Sequence, residues 1–202
     1  MAIKNIKFDS ERFVSLFDLW GRKNPSYEKH YEDEVIKPLA DFSKGTNEAS
    51  ESKAKVLGAG YEVLIMAFFI GLYSGKRLEL NGDLDIKELG QPIQFWGNVD
   101  SKKGRKAYPK LKEYMFIALV AKTSEINWYD LDKGCWTPNE TVNYLMITME
   151  EYINYGLSFL KEIMVADETY FMSHDSFLNI FQDLVFGKVS MGDAGDSPES
   201  LD

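Results

Sequence analysis

Residues 71 to 80 read GLYSGKRLEL and directly follow VLIMAFFI at 63 to 70. How this stretch folds decides both the architecture and the chemistry. Two glycines, a lysine and an arginine suggest a phosphate loop, whose backbone amides and lysine cradle a nucleotide. That loop needs four residues between its first glycine and the Gly-Lys pair, then Ser or Thr for magnesium, and a strand before it. Here only Leu72, Tyr73 and Ser74 intervene, Arg77 stands at the hydroxyl position, and the preceding run reads as helix. From Gly60 to Ser74 the sole charge is Glu62, and a helix without a polar face belongs inside a bundle. Gly75 then reads as the left-handed residue after its last turn, with Lys76 and Arg77 beside the partial negative charge of the helix end.

Working outward, the 202-residue length suits one domain, and 6 prolines against 45% hydrophobic residues favour helices over a turn-rich sandwich. The expected fold is mainly α: a single helical bundle over 1–187 around the central apolar helix, followed by an acidic, disordered tail at 188–202. Phe13, Leu16, Phe17 and Trp20 share a helix face, with Asp9 or Ser10 to cap it and Gly21 as a left-handed exit. Asn24-Pro25 reads as a second helix start, with Tyr27, Tyr31, Val35, Leu39 and Phe42 as its stripe and Pro38 dividing it. The polar stretch 43–55 is the internal linker. Around Asn81-Gly82 a two-residue turn would pair leucines with aspartates. A three-residue loop instead pairs Leu80 with Leu84 and Leu78 with Ile86, so one small β-hairpin is allowed.

Pro109 opens a further helix, with Leu111, Tyr114, Met115, Ala118 and Leu119 inward. In TPNE, Thr137 caps, Pro138 takes the first helical position and Glu140 completes a capping box. The stripe that follows runs from Val142 through Leu145, Met149, Ile153, Leu157 and Leu160 to Met164. Gly156 lies on that stripe, where a missing side chain lets another helix approach closely. A last helix begins near Ser173, with Phe177, Ile180, Phe181, Leu184 and Val185 inward, and ends at Gly187.

Chemistry is sparse. Cys135 is the only cysteine, so no intrachain disulfide forms, and MAIKNIKFDSERF lacks the apolar core of a signal peptide. The expectation is a cytoplasmic protein. The apolar run at 63–73 is shorter than the ~20 residues that span a bilayer. Net charge of −9 opposes general adhesion to nucleic acid or anionic membrane. His30 and His174 lack ligand-spaced partners, and Glu28, two positions before His30, would point to another face of a helix. No metal or other cofactor is expected. The basic stretch KKGRKAYPKLK offers Lys102, Lys103, Arg105, Lys106, Lys110 and Lys112 around Tyr108, and Lys76 and Arg77 add cations elsewhere. Cations beside aromatics suit a phosphate backbone and an unstacked base, an acidic protein partner, or a solvated loop.

Two segments resemble the small proteins encoded beside bacterial DNA phosphorothioation (Dnd) systems. MAFFIGLYSGKRLEL is similar to that family's helix, glycine exit (Gly75) and basic turn. MEEYINYGLSFLKEI resembles its E-E-Y-x-x-x-G-L-x-x-L segment at Glu150, Glu151, Tyr152, Gly156, Leu157 and Leu160. Asn154 and Tyr155 stand where the family tends to have a small-residue pair. The resemblance covers about residues 58 to 165. It implies a bacterial setting of DNA modification and defence against phage, not a reaction. The leading expectation is therefore a non-enzymatic accessory or adaptor protein acting through a protein partner. The alternative is nucleic-acid binding through 102–112. A third reading, an enzyme using Glu150, Glu151 or Cys135, needs a cleft around those groups.

Overall fold

The computed structural model describes residues 15–40, 57–97, 108, 110–173 and 175–187. Asp9, Ser10, Phe13, Phe42, the linker at 43–55, Lys102, Lys103, Arg105, Lys106, His174 and the tail lie outside them. The elements are α1 (Leu16–Gly21), β1 (Ser26–Glu28), a π-turn (Glu32–Ile36) running into α2 (Lys37–Leu39), α3 (Gly60–Ser74), β2 (Ile86–Glu88), α4 (Lys110–Lys122), α5 (Trp128–Asp132), α6 (Pro138–Ala166) and α7 (Ser176–Val185). The fold is mainly α with one small antiparallel two-stranded sheet. Two compact units divide the chain: Met1–Ser26 with Glu88–Met149, and Tyr27–Lys87 with Glu150–Asp202.

In the first unit, Ser15 caps α1, its Oγ accepting from Asp18 N–H at 3.1 Å. The exit is not left-handed: Arg22 follows Gly21 in right-handed helical geometry. Trp20 is fully buried, and its ring and that of Phe17 meet Phe116 of α4 at 5.5 and 5.4 Å. This aromatic contact orients α4. Met115 and Leu119 are buried as expected, but Tyr114 is 62% exposed, because turning Phe116 toward Trp20 rotates Tyr114 outward. The capping box at the start of α6 is present: Thr137 N–H donates to Glu140 Oε2 at 2.8 Å, and Glu140 N–H to Thr137 Oγ1 at 3.2 Å. Two donors of the first turn are thereby satisfied.

In the second unit, α3 is the interior rod. Val63, Leu64, Ala67, Phe68 and Ile70 have no exposure. Gly75 closes it at φ 65°, its N–H donating to Leu72 O and that of Lys76 to Gly71 O, both at 3.2 Å. This is a Schellman exit and leaves the helix-end carbonyls satisfied. Along α6, Gly156 does what its place on the stripe suggests: a Cβ there would lie 2.0 Å from the Ala67 carbonyl oxygen. A Cβ at Gly71 would lie 2.4 Å from Tyr152 O. Two backbones thus touch through paired glycines. Along α7, Phe177 and Ile180 are buried, while Val185 is 60% exposed, a departure from the inward placement read for it.

The expected helix start after Pro25 is corrected. Residues 26–28 are extended and pair with 86–88, flanked by Lys29 N–H to Asp85 O at 2.8 Å and Leu89 N–H to Pro25 O at 2.9 Å. Ile86 therefore does not pair with Leu78. The strand read near Ile86 exists, but its mate comes from far along the chain. Helix begins only at His30, and Pro38 breaks its regularity: Lys37 N–H reaches back five residues to Glu32 O in a π-turn just before the residue that has no N–H.

Candidate binding site around Glu28, His30 and Lys161

Ending β1 at Glu28 and starting a helix at His30 turns both side chains to one place. The Glu28 side chain is 8% exposed. Its Oε1 accepts from Asn81 N–H at 2.9 Å and from Asn154 Nδ2 at 3.1 Å. Asn81 is set for this by an Asx turn, accepting from Asp83 N–H on its own Oδ1 at 3.0 Å. Asn154 is fully buried on α6, and its Nδ2 also donates to Glu79 O at 3.1 Å. With two acceptors around that nitrogen, the orientation of the amide is determined. Its Oδ1 is buried with no donor.

His30 sits between carboxylates, Nδ1 at 3.6 Å from Glu28 Oε2 and Nε2 at 3.7 Å from Glu34 Oε2. Both separations are longer than hydrogen bonds. The Tyr31 ring lies over His30 with centroids 4.0 Å apart. Glu34 Oε2 then takes Lys161 Nζ at 2.9 Å. That hydrogen bond holds the Lys161 ammonium above its ordinary range, so it stays charged at neutral pH. Burial pushes the Tyr31 phenol up, opposed by its hydrogen bond with Ser158. Beside this chain, Tyr31, Ser158, Lys161, Glu162, Val165 and Ala166 line an open groove of about 430 Å³. Reading Glu28 and His30 as facing apart failed because it assumed helical spacing; a strand followed by a turn brings them together. A charged Glu next to a helix-start histidine is the only local hint of this.

The other candidates fall in different places. Arg77 and Glu151 meet where α3 leaves α6, while Gly156 lies farther along the same contact, against Ala67. Arg77 Nη1 lies 3.4 Å from Glu151 Oε2, and Leu78 N–H donates to Glu151 O at 3.1 Å. Glu150 is half-buried. Glu151 is thus bound to a structural ion pair and not a solvated edge. The two segments that carry the family resemblance pack against each other; close helix approach accounts for Gly156 in them, and the left-handed helix exit accounts for Gly75. Lys76 is exposed. Of the basic stretch, Lys110 is exposed, whereas Lys112 Nζ donates to Gln94 O at 2.5 Å and burial lowers its pKa. Tyr108 packs its ring over Gly97, where a Cβ would meet it at 2.6 Å. Cys135 is exposed. Among the described residues no group of three or more His, Cys, Asp or Glu is placed to hold a metal, and no helix is long and apolar enough to cross a membrane.

No family model, curated protein or solved structure matches the chain.

Proposed function

We propose that this chain is a non-enzymatic accessory protein of a DNA-modification or phage-defence system, working through contacts with a protein partner. The observation that carries this reading is a pair of exposed apolar side chains on each of two well-formed helices. Tyr114 and Ile117, three apart on α4, are each 62% exposed, and Tyr144 and Ile147 repeat the spacing on α6. Residues three apart share a helix face, and aromatic side chains are enriched where proteins meet. The setting in DNA modification rests on the resemblance of 58–165 to the Dnd-associated proteins. Direct nucleic-acid binding is less well supported, since Tyr108 and Lys112 are both engaged within the fold.

The test is co-expression of the full chain with the products of its neighbouring genes, followed by affinity capture. One such product should co-elute, and Tyr114→Asp with Ile117→Asp should release it while the far-UV circular dichroism is unchanged. If the native chain retains none of them, the adaptor reading is wrong.

A further inference from the structure

We propose that Asn81-Gly82 is a self-modifying site. The Gly82 amide nitrogen closes on Asn81 Cγ, ammonia leaves, and water opens the ring to aspartate or isoaspartate, the latter loosening the anchor of the buried Glu28. This chemistry goes beyond the adaptor reading and does not depend on it.

Of the 15 glycines, Gly82 alone follows an asparagine. Both residues are exposed, and a Cβ at Gly82 would meet nothing within 4 Å, so the backbone nitrogen is open to approach. Among the described residues the Gly82 N–H and the Asn81 Nδ2 make no hydrogen bond, which leaves nucleophile and leaving group untied. The electrophile, by contrast, is held. Asn81 Oδ1 accepts from Asp83 N–H at 3.0 Å, and Gly82 N lies within the ring that this bond closes, at the separation along the chain from which a succinimide forms. The same N–H faces the negative charge that builds on Oδ1 as the nitrogen attacks.

Solvent base removes the Gly82 amide proton, the nitrogen bonds to Cγ, and the Cγ–Nδ2 bond breaks, with a proton returned to the departing nitrogen as ammonia. Water then adds to the imide. Opening at Cγ gives aspartate; opening at the α-carbonyl gives isoaspartate, in which the chain runs through Cβ.

The two products differ in what they do to the fold. Asn81 O accepts from Leu84 N–H at 3.0 Å, and Asn81 N–H donates to Glu28 Oε1 at 2.9 Å. Aspartate keeps both contacts and a side-chain acceptor for Asp83. Isoaspartate converts the Asn81 carbonyl into a free carboxylate, on the carbon beside the N–H that Glu28 accepts, and lengthens the main chain at the turn. The Glu28 side chain is only 8% exposed, and its other donor, Asn154 Nδ2, is shared with Glu79 O of the same loop. A second carboxylate brought against a buried one repels it where water screens little.

The test is ageing of the full chain at neutral and mildly alkaline pH, then peptide mapping by mass spectrometry with Asp-specific cleavage to separate aspartate from isoaspartate. Asn81 should convert first, and faster as pH rises, while Asn139 and Asn179, exposed on α6 and α7, stay intact. Gly82→Pro should lose the products altogether: proline has no N–H, it is favoured at the second position of a turn, and Gly82 is not left-handed. The isoaspartate fraction, isolated by ion exchange, should unfold at lower urea than both the fresh chain and Asn81→Asp. Asn81 lasting as long as Asn139 or Asn179, or conversion undiminished in Gly82→Pro, would overturn the proposal. So would an isoaspartate fraction with the urea midpoint of the fresh chain or of Asn81→Asp.

Discussion

Replacing Gly156 by alanine tests the glycine contact between α3 and α6, and its sign is diagnostic. On an exposed helix the change would stabilise by about 1 kcal/mol, because alanine loses less backbone freedom than glycine. Here the new Cβ would sit 2.0 Å from the Ala67 carbonyl oxygen and 2.5 Å from Ala67 C and Cα. Ordinary contact begins near 3.4 Å, so the helices must part by about 1.4 Å. The obstacle is backbone, and no side-chain rotation relieves it. A gap of that size forfeits at least a quarter to a half of each dispersion contact across the interface, among them Phe68 against Tyr152 at 6.0 Å. Overpacking costs reach ~3 kcal/mol, and subtracting the propensity gain leaves a net loss of about 2 kcal/mol. Urea denaturation followed by far-UV circular dichroism should show the midpoint falling by about 1 M. Gly71→Ala should act in the same direction, and the double variant should cost less than the sum, because both changes separate the same two helices. Gly75→Ala, with nothing within 4 Å but φ at 65°, should cost ~1 kcal/mol through backbone conformation alone. A Gly156→Ala protein as stable as the native one, or more so, would refute the close approach.

Further outcomes follow from single side chains. Asn154→Ala removes one donor from the buried Glu28 carboxylate and another from Glu79 O, and should cost about 2–3 kcal/mol in the same denaturation assay, less so when combined with Glu28→Gln. Thr137→Ala should cost ~1 kcal/mol by opening the capping box of α6. The Lys87 hydrogen bond holds the Glu32 carboxyl below its ordinary range. Its stabilisation is therefore present above that range and lost as pH falls through the depressed folded value. Lys87→Met should flatten that acid limb of a stability-against-pH curve. Burial, aided by Glu32, pushes the Tyr27 phenol from 10.0 up to about 12. Its contribution is complete below pH 10 and declines as pH rises toward 12, and ultraviolet titration of Tyr27→Phe against the native chain should lose one late-ionising phenol.

Where the controlling interactions are local, the residues could be read directly. The central helix needed only its unbroken apolar run, and its exit only a glycine in the one conformation glycine favours. The capping box in TPNE depends on positions three apart. Gly156 was legible because it interrupts a stripe of large apolar residues. Tyr114 was not: whether it or Phe116 faces inward depends on where Phe17 and Trp20 arrive from elsewhere. The contacts around Glu28 were missed for the same kind of reason, since Glu28 and His30 were assigned helical geometry from Pro25 onward.

Composition and periodicity alone determined that this chain is mainly helical, with α3 interior and α6 long and capped, because hydrogen bonds and burial within a helix repeat every few residues. The tertiary structure decided that residues 26–28 are a strand, that Asn81 and Asn154 converge on Glu28, and that Lys161 ends up tied to Glu34. Those contacts join positions far apart in the chain, and their free energy depends on desolvation and geometry that exist only once the elements have met.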